Sequence, residues 1–263
     1  MGRKRATPET AVKPGLYVGT SGWSYGGWDR LFYPDGVKTT EARLAFYARH
    51  FDTVEINYTF YHLPKPQTYE KWKAAAPTGF LFAVKASRYI THILRLQRSA
   101  EAWARFLSGA RTLGRRLGPI LFQLPPSFRA DHARLSRFLE VIRRGPGSSV
   151  QPVFEFRHST WFTEATYELL RGAGAALCIA HSSRYPCVEE PPTAEAALFV
   201  YYRFHGPGEL FASRYSDREL RVWARRIRFH QARGAAVYVY FNNDVNGYAV
   251  DNARMLRRLI ETE

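Results

Sequence analysis

The chain has 263 residues, 46% of them apolar and 23% charged, proportions of an ordinary folded domain that favour neither disorder nor a membrane class. The length fits one core of TIM-barrel size, about 250 residues. The formal charge is +15, yet only seven of the 38 basic residues are lysine and no pure basic block occurs. Such an excess points either to an electropositive face for phosphate or nucleic acid or to compositional drift.

No run approaches 18 apolar residues, so no spanning helix and no membrane partner are expected. The start of the chain is basic and polar and lacks the apolar stretch of a secretory signal. Residues 1–15 read as a flexible basic tail and residues 16–263 as one domain. Cys178 and Cys187 are too few for a disulfide scaffold and lack zinc-ligand spacing. A reducing cytoplasm is the expected location, and no cofactor is expected.

In chain order, the first strand is read at 16–21 and is followed by a loop of glycines and aromatics, Gly22 to Trp28. Trp23, Tyr25 and Trp28 there could stack a flat ligand or simply cap the fold. A helix at 40–49 leads to strand two at 53–57, and a helix at 66–75 to strand three at 81–86. Helices at 100–113 and 131–143 flank strand four at 119–124, and strand five, 153–157, precedes a helix at 163–171. Strand six is read at 176–182. The stretch from Ser183 to Ala197 carries Pro186, Pro191 and Pro192 and no helical stripe, so the sixth crossover is expected to be irregular. Strand seven, 198–206, is followed by a helix at 217–232 that opens with a Ser216/Glu219 capping box. Its Leu220, Trp223, Ala224 and Ile227 share one face. Strand eight, 236–243, and a helix at 248–260 complete the pattern. Eight strands alternating with helices predict an α/β fold, a single (β/α)8 TIM barrel.

Side chains alternate along a strand, so one set faces the helices and the other the barrel interior. Val54 and Ile56 suit the helix layer, which turns Glu55 and Asn57 inward; Phe154 and Phe156 likewise turn Glu155 and Arg157 inward. The same parity sends in Lys85, Gln123, Tyr201, Arg203, His205, Tyr238, Tyr240 and Asn242. These polar groups gather at the strand ends where TIM-barrel sites are built. Each has a structural alternative, such as Glu55 pairing with Arg157 or Arg203, but so many buried ionisable groups must be paired or used. His92 and His158 follow strands three and five and could move protons. The loops after strands seven and eight, around Gly206, Gly208, Asn242, Asn243 and Gly247, fit the usual phosphate position of such barrels. A metal site of Glu55, Glu155, His158 and His205 lacks any sequence-local ligand motif, so no metal is expected.

Several motifs are shared with a known family. They are GTSGWSY at 19–25, VEIN at 54–57, Phe60 and Tyr61, Trp72, Pro77, Phe80, VKAS at 84–87, and Thr91 with His92. The second half adds QLPPSF at 123–128, EFRHSTW at 155–161, YYRFHG at 201–206, Tyr215 with Ser216, and YFNND at 240–244. Through them the chain, from Tyr17 to Ile260, resembles the YecE-like family, bacterial and archaeal barrels classed as a domain of unknown function. The resemblance implies a TIM barrel and brings no assigned activity. Relatives commonly carry an acid at the end of strand six, where this chain reads Ile179, Ala180, His181, Ser182; if that acid belongs to the family's chemistry, this chain is altered there or uses His181.

The leading expectation is a metal-independent, hydrolase-type enzyme acting on an anionic, phosphate-bearing substrate. Glu155 and Glu55 would be its acid/base pair, with His205 or His92 as proton shuttle. Substrate would be bound by Trp23, Tyr25, Asn57, Lys85, Gln123, Arg157, His158, Arg203, Tyr240, Asn242 and Asn243. One alternative is a nucleic-acid or nucleotide binding protein without turnover; another is a glycoside hydrolase using the two glutamates.

Overall fold

The computed structural model describes residues 15–144, 147, 149–191 and 198–262; the expected tail, Gly15 apart, lies outside them. Eight parallel strands form one sheet: β1 (Leu16–Thr20), β2 (Thr53–Ile56), β3 (Leu81–Lys85), β4 (Leu117–Gln123), β5 (Pro152–Glu155), β6 (Ala176–His181), β7 (Phe199–Phe204) and β8 (Ala236–Phe241). Their order, β1-β8-β7-β6-β5-β4-β3-β2, wraps the sheet into a nearly closed (β/α)8 barrel. Around it lie α1 (Thr40–Tyr47), the single turn α2 (Tyr58–Tyr61), α3 (Pro66–Ala75), α4 (Ala100–Ala110), α5 (His132–Arg143), α6 (Glu164–Ala173), α7 (Asp217–Ala232) and α8 (Tyr248–Thr262). No helix among the described residues is long and apolar enough to cross a membrane.

Helix starts follow side chains that accept the orphan amides of the first turn. Thr39, Asp131, Thr163 and Ser216 each accept such a bond, and Ser216 and Glu219 close the capping box read from the sequence. Each cap is worth about 0.5–2 kcal/mol. The helix expected at 100–113 instead ends at Ala110, where a 3-10 turn, Arg111–Arg116, takes over and bends at Gly114. Residues 182–191 of the sixth crossover hold no helix, and 192–197 fall outside the described residues. Short turns escaped the sequence reading, among them α2 after β2 and a π-helical turn at Tyr89–Ile93 after β3.

Strand parity builds two cores. Val54, Ile56, Val84, Phe122, Phe154, Tyr202, Phe204 and Val239 face the helices. Ala83, Leu121, Val153, Tyr201, Tyr238 and Tyr240 fill the barrel interior. Full burial of such apolar side chains contributes roughly 1.5–3 kcal/mol each. Cys178 and Ala180 line the same interior, and their small size leaves room there for larger partners.

β1 and β2 meet at a seam joined by one bridge, Ser21 to Glu55. The Tyr47 hydroxyl enters it, accepting from the Thr20 amide at 2.9 Å and donating to the Thr53 carbonyl at 3.1 Å. A Cβ at Gly19 would lie 2.3 Å from the Thr53 oxygen and 2.9 Å from that hydroxyl. Gly19→Ala is therefore expected to destabilise the barrel by about 3 kcal/mol. For a chain of this size that lowers the melting temperature by roughly 6–12 °C. An unchanged melting temperature would show that the seam has slack the geometry does not allow.

Candidate functional site

At the C-terminal end of the barrel the interior changes from tyrosines to charges. Glu55, last but one in β2, is fully buried; its Oε1 accepts from Ser21 Oγ at 2.7 Å and Arg203 Nη2 at 2.8 Å, and its Oε2 from the Tyr201 hydroxyl at 2.6 Å and Arg203 Nε at 3.0 Å. Arg203, fully buried at the matching height of β7, uses its remaining nitrogen, Nη1, on Glu155 Oε2. Glu155 ends β5 and accepts at Oε1 from Arg157 Nε at 2.7 Å. One guanidinium thus lies between two carboxylates, and every carboxylate oxygen is bonded.

Nearer the mouth stand Lys85, Arg157, His92, His205 and Asn242. The Lys85 ammonium sits 4.1 Å from the centroid of the Phe60 ring, whose plane His92 meets edge-on at 5.0 Å. The Arg157 guanidinium stacks 4.4 Å over Tyr185 of the sixth crossover. His205 accepts at Nδ1 from the Asn242 side chain at 3.1 Å, and its Nε2 lies 3.5 Å from Arg203 Nη1 and 3.8 Å from Glu155.

The environment sets the charge states. Burial pushes the Glu55 carboxyl up, but Arg203 and the bonds from Tyr201 and Ser21 outweigh it and hold it below its ordinary value. Glu155 is held well below, since Arg203, Arg157 and His205 overcome its burial. Lys85 is pushed down to about 7 by burial and then by Arg203, with Arg157 adding to this and the two glutamates opposing it. Burial, reinforced by Lys85 at His92 and by Arg203 at His205, lowers both histidines to about 4. At neutral pH both glutamates are ionised, both histidines are neutral, and Lys85 is close to half protonated.

Several residues expected at the site go elsewhere. Trp23 is buried in the outer core, edge-on to Trp72 of α3, with its indole N–H on the Thr40 carbonyl, so it cannot wall a pocket. Asn243 is turned to the helices and donates to Ser213 and Asn252. The Tyr240 hydroxyl is bonded to Thr53 within the apolar interior, below the charges. His158 accepts from the Thr160 amide and caps a short 3-10 turn. His181 points outward, bonded to the Tyr215 hydroxyl at 2.8 Å and packed on Trp223, so it does not replace an inward acid. In the β7 loop the amides of Gly208 and Glu209 are taken by the Ser213 hydroxyl, so these two are not turned toward a phosphate.

Tyr25 and Asn57 are half-buried, and both donate to the Ser21 carbonyl; the Asn57 side-chain oxygen has no hydrogen-bond partner among the described residues. Gln123, buried, donates to the Leu124 carbonyl. The sequence reading missed Ser21, Phe60 and Tyr185. Ser21 and Phe60 lay within shared motifs whose geometry was not legible, and Tyr185 lies in a crossover with no periodic signal. Among the described residues no three His, Cys, Asp or Glu side chains are grouped to hold a metal ion.

Fold and site together define a TIM-barrel protein with a buried Glu–Arg–Glu cluster beneath a cationic mouth. The chain belongs to the family described as "Protein of unknown function DUF72", whose model matches residues 17–263. It is 25% identical over 279 residues to the UPF0759 protein YunF of Bacillus subtilis, covering 94% of this chain and 95% of that one. It is 32% identical over 154 residues to the UPF0759 protein YecE of Escherichia coli, covering 58% of this chain and 52% of that one. Among solved structures, a DUF72 family protein from Thermotoga maritima superposes with a TM-score of 0.78 at 28% identity, covering 94% of this chain and 99% of that one.

Proposed function

We propose that the protein is an enzyme acting on a small anionic substrate, bound at the mouth of the barrel by Arg157 and Lys85. The observation that carries this reading is an excess of cation over carboxylate. Among the described residues Lys85, Arg157 and Arg203 face only Glu55 and Glu155, and Arg203 uses both glutamates from below. Arg157 spends only its Nε on Glu155 and keeps its two terminal nitrogens for a ligand, in the fork geometry that suits carboxylate and phosphate. Lys85, at about 7, is the group whose charge changes near pH 7, while His92 and His205, lowered to about 4, stay neutral there and serve only as passing proton acceptors or donors. Glu55, with four donors on its two oxygens, is a positioning residue in this reading and not one of a catalytic pair.

The glycoside-hydrolase alternative needs one carboxyl kept protonated as the acid. Both carboxyls here are depressed, which argues against it. Nucleic-acid binding through stacking on the loop after β1 is weakened, with Trp23 and Trp28 buried and only Tyr25 half-buried. A groove of about 740 Å³ on the outer face, where Arg214, Arg254, Arg257 and Arg258 outnumber Asp251 and Glu261, keeps a polyanion as a second reading.

A thermal-shift series with phosphate esters, 2-oxo acids and their uncharged analogues tests the first reading. A ligand at about 100 times its Kd should add about 2.7 kcal/mol of stability, and Arg157→Met should abolish that gain. Equal stabilisation by the uncharged analogues would overturn the reading. Oligonucleotides stabilising the protein at low salt only, with Arg157→Met unaffected, would favour the groove instead.

A further inference from the structure

We infer that Lys85 is a nucleophile, condensing with the carbonyl carbon of a small aldehyde or ketone that carries a carboxylate or phosphate to form an imine. This inference rests on the anion-binding reading of the same mouth.

A buried lysine ordinarily faces a carboxylate. Lys85 is 8% exposed, yet among the described residues no ion pair or hydrogen bond engages its ammonium, which rests on the Phe60 ring. The nearby carboxylates are already committed: Glu55 to Arg203, Ser21 and Tyr201, and Glu155 to Arg203 and Arg157. An amine set on an aromatic face beside two guanidiniums, with no anion of its own, is favoured in its neutral form, and that form carries the lone pair needed for attack. Its pKa near 7 agrees. The position is the last residue of β3, at the barrel end that hosts chemistry.

A base stands on the same ring. Thr91 donates its hydroxyl hydrogen to the Ser87 carbonyl at 3.2 Å, so its oxygen accepts from His92 Nδ1 at 2.9 Å and leaves His92 Nε2 with a lone pair. In the reaction the Lys85 nitrogen bonds to the carbonyl carbon as the C=O π bond breaks, and His92 carries one nitrogen proton to the oxygen, making a hydroxyl. His92 then carries the second nitrogen proton to that hydroxyl, which leaves as water while the C=N bond forms. The sum is amine plus carbonyl to imine plus one water, with no oxidant or reductant. Arg157 takes the substrate's anionic group.

The test incubates the full chain at pH 7.5 with glyoxylate, pyruvate or dihydroxyacetone phosphate, each with sodium cyanoborohydride, and maps the reduced adducts by peptide mass. Lys38, Lys65 and Lys71 are exposed internal controls. A lysine of ordinary pKa near 10.4 is almost wholly protonated at that pH, so Lys85 should be labelled on the order of a hundredfold faster with at least one probe. Lys85→Arg, which keeps the cation, should lose that label alone. Labelling confined to the exposed lysines with all three probes overturns the inference. If dihydroxyacetone labels Lys85 as fast as its phosphate, the imine stands and the anion reading fails. If the anions stabilise the protein through Arg157 but leave Lys85 unlabelled, the anion reading stands and the imine fails.

Discussion

Arg203→Met is expected to destabilise the protein by about 3–5 kcal/mol at neutral pH, and to do so less as the pH falls. Arg203 is the cation bonded to Glu55 among the described residues, through Nε and Nη2, and it also bonds Glu155. Removing it leaves Glu55 ionised in a fully buried place with only the Tyr201 and Ser21 hydroxyls. The sign of the pH dependence follows. In the wild type both carboxyls lie below their unfolded values, so their contribution is complete above the unfolded pKa, near 4.3, and is lost as pH falls through the folded pKa. In the variant, burial acts on Glu55 without Arg203 and raises its pKa above the unfolded value. Stability then increases as the carboxyl protonates. Urea unfolding of both proteins at pH 7.5 and pH 5 measures this directly. A gap between them that is equal at the two pH values would reject the assignment of Arg203 as the neutralising centre.

Glu155→Gln should also destabilise, by about 3 kcal/mol, at the lower end of the range for a broken buried pair. Arg203 retains Glu55, and Arg157, whose side chain is 12% exposed, can turn toward water. Glu55→Gln should be worse. All four bonds to Glu55 come from donors, and an amide would turn N–H groups against them. The sequence alone left two outcomes open for Glu155→Gln, loss of turnover with folding intact or loss of stability. The structure favours the second, because both oxygens of Glu155 hold arginines. A further consequence is specific to the site: one carboxylate that opposes the depression of Lys85 is gone, so the pH at which Lys85 becomes reactive should fall. Melting curves of both variants, with the pH profile of Lys85 labelling, check the pair. Wild-type melting temperatures for both would sink the structural role.

Much of this molecule was legible in the sequence because two rules are local. The period of two along strands predicts which residues enter the barrel, and it placed Glu55, Lys85, Gln123, Glu155, Arg203, His205 and Asn242 inside. The Ser216/Glu219 capping box ahead of an apolar helical stripe predicted the start of α7. The eight-unit count, with motifs of a barrel family, predicted the fold. The reading of His181 as a substitute for an inward acid failed, because Ala180 lines the interior and its neighbour is turned out.

What the sequence could not decide was pairing between groups far apart in the chain. That Arg203 takes both Glu55 and Glu155 depends on the height at which β2, β5 and β7 meet, and that is fixed by barrel closure. Which loop residues turn inward is likewise non-local: Trp23 is captured by Trp72 and the Thr40 carbonyl, Asn243 by Asn252, and the Gly208 amide by Ser213. Loops carry no period, so their side chains go where tertiary partners satisfy them. The same holds for Lys85. Its identity and direction were readable from residue order, but its lack of a carboxylate became visible only once the other cations had taken both glutamates.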